Sequence, residues 1–318
     1  MSKYNFWLIL AIVVIAVGSG IFVVGMSFLN WDFSKLSTQK HITSTYEFDE
    51  SFSSVSINVD TADVTFTPSE NGQTTVVCHE LEKARHSVEI KDGALVVDFF
   101  DNRKWYDYIA ISFAPIKIDV TIPQTVYDSL YLKTATGDIQ IGENLAFLSA
   151  TINTSTGDVN FGAQVSDQLK ITTSTGNATI KNVNTKDVKV STSTGNINVS
   201  STSAESITAN VSTGNATLSD IQCANLSSNG STGNITLRNV IASQKINIER
   251  HTGNIKFDGC DAGEIQAKTS TGNITGTLLS SKIFIANSST GDKKVPETTE
   301  GGICKLTTTT GDIRISIK

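Results

Sequence analysis

Proline is nearly absent: the 318 residues hold four, Pro68, Pro115, Pro123 and Pro296. None falls between Gln124 and Val295, so every backbone N–H of that stretch can join a strand ladder. Basic residues are outnumbered, 25 Lys and Arg against 31 Asp and Glu, and the formal charge of -6 excludes the basic face that a nucleic acid requires. Aromatic residues make up 7% of the chain, which leaves little for a sugar-stacking platform. The four cysteines (Cys78, Cys223, Cys260, Cys304) form no C-x-x-C pair and show no Cys-His zinc spacing. The histidines, His41, His79, His86 and His251, are scattered, and G-x-S-x-G, H-E-x-x-H and P-loop spacings are missing. No cofactor or metal motif is present, and the expectation is a protein that is not an enzyme.

Charge is also missing from Tyr4 to Trp31, and Phe6 to Leu29 is almost wholly apolar. That run exceeds the roughly 20 residues that cross a bilayer, and no A-x-A-like site follows it before Asn30. The expectation is an uncleaved anchor over residues 1–30 with a short cytoplasmic tail, Trp7 and Trp31 at the two interfaces, and the remainder extracytoplasmic. A cleaved signal peptide is the competing reading. Residues 31–43 read as a tether.

Alternation of apolar and polar residues follows. Val55, Ile57 and Val59, then Val64 and Phe66, Val88 and Ile90, Leu95, Val97 and Phe99, and Ile116 to Ile122 all have the period of half-buried strands. Asp92-Gly93 predicts a type I′ hairpin. Residues 44–130 are expected to form a β layer that caps the membrane-proximal end of what comes next.

From residue 131 to 318 one phrase, Thr-Gly-Asn or Thr-Gly-Asp, returns ten times, at Gly137, Gly157, Gly176, Gly195, Gly214, Gly233, Gly253, Gly272, Gly291 and Gly311. The spacing is 19 or 20 residues throughout, one turn of a β-solenoid. Apolar residues recur two and four places after each glycine, as at Ile139 and Ile141 or Ile197 and Val199, so each turn carries short strands with one face inward. Glycine supplies the positive-φ corner. The next residue is Asn in the six central copies (Asn177, Asn196, Asn215, Asn234, Asn254, Asn273) and Asp in the outer four. Stacked amides are expected to bond to one another along the column, and stacked carboxylates to repel. The fold class expected is all-β: a single-stranded parallel β-helix of about ten turns with an N-terminal β cap and a transmembrane helix.

Two copies depart from the pattern. Arg250 and His251 precede Gly253 where other copies mostly carry Thr, Val or Gly and then Ser, and Lys293-Lys294-Val295-Pro296 follows Gly291 in place of an apolar strand. Either departure could mark a partner surface or an irregular turn. The segment Phe99 to Tyr108, with Arg103, Lys104, Trp105 and Tyr106, mixes cations and rings in a way that suits envelope polymer or lipid headgroups. The plainer reading, and the favoured one, is a hairpin with cross-strand aromatic pairs. Asp258, Asp261 and Glu264 are the nearest acidic group, and they lie on one loop.

The serial T-G-[DN]-[IVA]-x-[IVL] phrases, V-T-I-P at Val120 to Pro123, and E-G-G-I-C-K-L-T-T-T-T-G-D-I from Glu300 resemble the bacterial β-strand-repeat family of unknown function named putative adhesins. The resemblance runs from Val55 to Lys318. It implies a right-handed parallel β-helix on the outer face of a membrane, and some relatives are associated with envelope-stress responses. The function expected is a structural or adhesive ectodomain at the cell envelope, with cell-wall polymer, glycan or a membrane protein as partner. An accessory stress sensor is the alternative and a polysaccharide-active enzyme a lesser one.

Overall fold

The computed structural model describes residues 3–32, 39–109 and 114–318. Lys3–Phe28 is one α-helix, and its uncharged part, Asn5–Phe28, has 24 residues. At 1.5 Å per residue that is about 36 Å, longer than a hydrocarbon core of about 30 Å. The helix is apolar on every face, which suits lipid on all sides. It ends where Asn30 and Trp31 take left-handed φ of 54° and 58° and Trp31 N–H returns to Met26 O at 2.9 Å. Residues 33–38, part of the expected tether, lie outside the described residues, and the first strand, His41–Phe48, starts within the range assigned to that tether.

The rest is a β-solenoid of about nine turns. Among the described residues, 23 strands make one hydrogen-bonded sheet. Like residues stack: Ile139, Val159, Ala178, Ile197, Ala216, Ile235, Ile255, Ile274 and Ile313 form one inward column. All are buried. No single turn can cover its own apolar face, so stability comes from the stack.

At nine of the ten corner glycines φ lies between 128° and 150°. A Cβ at Gly195 would overlap the carbonyl of Gly176 in the turn below, and the same contact recurs along the file. Glycine is therefore required twice over, by conformation and by the approach of the next backbone. Gly291 has no positive φ; it occupies the outermost turn.

Stacking order departs from chain order at both ends. Ile265 of the strand Ile255–Thr271 pairs with Cys304, and Cys304 with Phe284, so the final turn (302–318) is inserted beneath the turn that precedes it in sequence (282–294). Near the N-terminus Val55 pairs with both Leu130 and Leu95, and Val64 with both Ile139 and Ile118. The layer made by 54–68 thus lies between 126–141 and the later segments Ala94–Asp101 and Lys117–Ile122. In both places a segment nearer the chain end is hydrogen-bonded on two sides, which protects it from fraying.

Residues 44–130 accordingly supply two parallel layers as well as an antiparallel cap. The cap is built from His41–Phe48, Thr74–Leu81 and Ala84–Lys91. Asp92 and Gly93, with φ of 50° and 75°, turn the expected hairpin between Lys91 and Ala94.

Candidate functional site

Three places before each corner glycine the side chain points inward. Thr134, Thr154, Thr173, Thr192, Thr269 and Thr308 fill this column, buried, with hydroxyls on main-chain carbonyls, as Thr192 Oγ1 to Gly176 O at 3.0 Å. The column breaks at Val211, Gly230 and Arg250. Gly230 pairs with Arg250 in register, and a Cβ at Gly230 would lie 2.7 Å from Arg250 Nη1. The guanidinium occupies the space that the missing side chain leaves.

Arg250 is 2% exposed. Its Nη2 donates to Ser228 Oγ at 2.9 Å and its Nη1 to Glu249 O at 3.2 Å. Nε has no partner, and no carboxylate is ion-paired with Arg250 among the described residues. The Glu249 carboxylate is held by Lys268 Nζ at 2.8 Å. Burial pulls the Arg250 pKa down to about 10, which still leaves a cation at neutral pH. An uncompensated buried charge costs several kcal/mol, by order of magnitude. His251, in place of the usual Ser, lies outward beside Ser270, Nδ1 to Oγ 3.5 Å. Arg250, His251, Lys268, Asn210, Asn229 and Gly230 border an open groove of about 480 Å³. Arg250 and His251, singled out in the sequence, thus lie on opposite faces of one strand: Arg250 inward with Gly230 and Ser228, His251 outward at the groove with Lys268.

The second group, Arg103, Lys104, Trp105 and Tyr106, lies elsewhere. Phe99 lies in the hairpin strand Ala94–Asp101 with its ring 5.5 Å from that of His86 across the pair, whereas Trp105–Ile109 is a short 3-10 helix beyond it, so Trp105 and Tyr106 take no part in cross-strand pairs. Trp105 is 76% exposed, and Lys83 and Lys104 lie 5.8 and 6.0 Å from the Tyr106 ring centre. Arg103 is bound to Asp101 at 2.6 Å, and Lys83 Nζ to Asp107 at 2.6 Å. Gln39 Nε2 donates to Asp107 O at 2.7 Å, which ties this tip to the chain leaving the apolar helix. The side chain of Tyr108 lies outside the described residues.

The corner Asn and Asp residues do form a column, with a bond other than the one expected. The side-chain Oδ1 of each corner accepts the backbone N–H of the next, at 2.7–3.0 Å through Asp63, Asp138, Asp158, Asn177, Asn196, Asn215, Asn234, Asn254, Asn273, Asp312 and Asp292. A carboxylate oxygen serves as well as an amide oxygen, which explains why Asp stands at both ends. Asn177 and Asn196 additionally donate their amides to the side chain below.

A buried cluster went unnoticed in the sequence. Cys78, Glu80 and His86 place one potential ligand atom each within 4.8 Å of one another, all buried. Glu80 accepts from Ser44 Oγ at 2.7 Å, from His86 N at 2.6 Å, and pairs with His86 Nδ1 at 2.9 Å. Burial, and then the nearby Glu80, push the Cys78 thiol up to about 12, so it is neutral and a poor metal ligand as it stands. Alternation puts 78 and 80 on one side of their strand, but His86 belongs to the next strand, whose pairing with the first stops at Leu81 and Ala84, so no pattern in the sequence announces the cluster. All four cysteines are free and buried. Of the acidic group singled out in the sequence, Asp261 is paired with Lys282 at 2.6 Å and Glu264 with Lys245 at 2.9 Å.

The profile of Toastrack DUF4097 matches residues 52–215 and again 202–318. The chain belongs to this family. No curated protein matches it. Among solved structures, a putative adhesin from Parabacteroides distasonis is similar at 12% identity and a TM-score of 0.53, over 76% of this chain and 98% of its own. A putative adhesin from Bacteroides fragilis is 16% identical with a TM-score of 0.43, over 76% and 99%. A putative lipid binding protein from Parabacteroides distasonis is 21% identical with a TM-score of 0.49, over 74% and 96%. At such identities the likeness concerns the fold. Within the Toastrack fold, the Arg250 groove is a local break in an otherwise regular stack.

Proposed function

We propose that this Toastrack protein is a membrane-anchored, extracytoplasmic binding post that does no chemistry. The observation that carries the reading is the joining of an uncharged 24-residue helix to a rigid stack whose outward corners present Ser, Thr and Asn in register. A relative of the same fold is described as a putative adhesin, in keeping with this reading. Ten residues lie between Phe28 and Gln39, a reach of at most roughly 40 Å. The tip around Trp105 and Tyr106, held by Gln39, is therefore within the tether's reach of the bilayer, where rings and lysines are favoured among headgroups.

The test uses the full chain reconstituted in liposomes and incubated with cell-wall and glycan panels. Saturable retention without product release is expected. Release of cleaved product would overturn the reading in favour of an enzyme, and neither retention nor release would overturn it in favour of a partner protein.

A further inference from the structure

We propose that the open end of the stack, at the strand Lys282–Ser288, docks on the same end of a second copy of this chain. The proposal goes beyond the binding-post reading and needs only the stack and its anchor.

The two ends of the stack are finished differently. The end reached first from the apolar helix is covered by the antiparallel cap. At the other end Lys282–Ser288 pairs with Gly302–Thr310 on one side, and among the described residues no strand pairs with it on the other. The inward column through buried Ile265 and Cys304 stops at Phe284, and the one through Ala267 and Leu306 stops at Ala286. Both terminal side chains stay only half-buried, for want of a further layer. Outward on the same strand, Ile283 and Ile285 are 41% and 44% exposed. Lysine and proline are the usual guards of such an edge, and the neighbouring side of this turn has them in Lys293, Lys294 and Pro296, whereas Ile283 to Ser288 has none. An edge left so is a template for one more strand.

Shape and charge select a like end. Each turn has three sides, with corners such as Gly214, Asp220 and the break in register after Cys223. In the outermost turn the sides are 282–288, 293–294 and the return segment 295–301, where Thr298 Oγ1 donates to Lys282 O. A two-fold axis normal to the first side sets two such ends together with their strands antiparallel and their inward faces aligned, so Phe284 and Ala286 of both copies close one core. The same axis lays the second side of each copy over the third side of the other. Lys293 and Lys294 are exposed on the second, Glu297 and Glu300 on the third, and none of the four is ion-paired among the described residues. Opposite charges therefore meet twice, once on each flank. Strands this short bury less than the roughly 1,200 Å² of a stable interface, so the chain stays monomeric in dilute detergent solution and the contact matters where a membrane presents many copies. The antiparallel arrangement points the two anchors away from each other, which assigns the second copy to a facing membrane.

The experiment places the full chain on liposomes with the stack outward and follows their clustering by light scattering. Wild-type liposomes should cluster, and less so as salt is raised. Ile285→Lys, at an exposed position, should slow clustering by roughly tenfold or more, since like charges then meet near the axis. Lys293→Glu with Lys294→Glu should do the same, as should Glu297→Lys with Glu300→Lys. Liposomes of the first pair mixed with liposomes of the second should cluster again, because each second side then meets a third side of opposite sign; a fold broken by either pair would give no such rescue. Wild-type liposomes that stay dispersed would overturn the proposal and leave the edge to a strand of another protein. Clustering retained by all three variants would assign it to another surface, and mixed liposomes that stay apart would overturn the two-fold arrangement. If clustering fails while envelope material is still retained, this proposal falls and the binding-post reading stands.

Discussion

Asn215 Oδ1 accepts the backbone N–H of Asn234 at 2.9 Å, so a single side-chain oxygen fastens one corner to the next. The bond uses no donor from Asn215. Each such rung satisfies a corner N–H that the parallel ladder leaves aside, and ten of them run the length of the stack.

It follows that Asn215→Ala should lower stability by about 1 kcal/mol, the net worth of one hydrogen bond. Asn215→Asp should stay within about 0.5 kcal/mol of wild type at pH 7, because the acceptor survives. Thermal melting of the two variants checks this. A large loss for Asp would restore an amide-to-amide ladder.

Gly195→Val is expected to be far more damaging. The corner has φ of 143°, and the new Cβ would strike the Gly176 carbonyl, so both backbone and neighbour must shift. A loss of more than about 4 kcal/mol, or failure to fold, is the expected result. Ser155→Ala, on the exposed face, should cost under about 0.5 kcal/mol. Comparable melting of the two variants would contradict the corner.

His86 makes stability depend on pH. Burial depresses its pKa below 6.5, outweighing the opposing hydrogen bond from Glu80. The unfolded chain therefore takes up the proton first as pH falls, and stability declines from about pH 6.5 down to the folded-state value. Urea melts between pH 7.5 and 5 should show this decline, reduced in His86→Gln. An identical slope in the variant would assign the effect to other groups.

Much of this architecture was legible because stacking repeats a local pattern. Ile139, Val159 and Ile197 lie two places after their glycines, and all are buried in one column. The first layer was harder to see because Thr61-Ala62-Asp63-Val64 is a repeat without its glycine. Ala62 can stand there since the overlap involves the carbonyl it offers to Gly137, and its own φ is not positive. The exchange of layers at the ends leaves no local trace, since turn 302–318 is compatible with either neighbour. Arg250 was visible as an outlier in its column, whereas its dependence on Gly230 became apparent only through their register. Cys78, Glu80 and His86 lacked any spacing of metal-binding type, and they come together only where the chain turns back between Leu81 and Ala84.

The order of layers at the C-terminal end is the sharpest consequence of a stack built on register, and engineered disulfides read it directly. Gln266 is paired with Lys305, and Lys305 with Ile285, which puts Gln266 and Ile285 two layers apart, roughly 9–10 Å. A disulfide needs Cα atoms within about 7 Å, and the four native thiols are buried. In the full chain under mild oxidation, Gln266→Cys with Lys305→Cys should cross-link readily, and Gln266→Cys with Ile285→Cys should stay reduced. The reverse pattern would mean that the turns stack in chain order and would contradict the account.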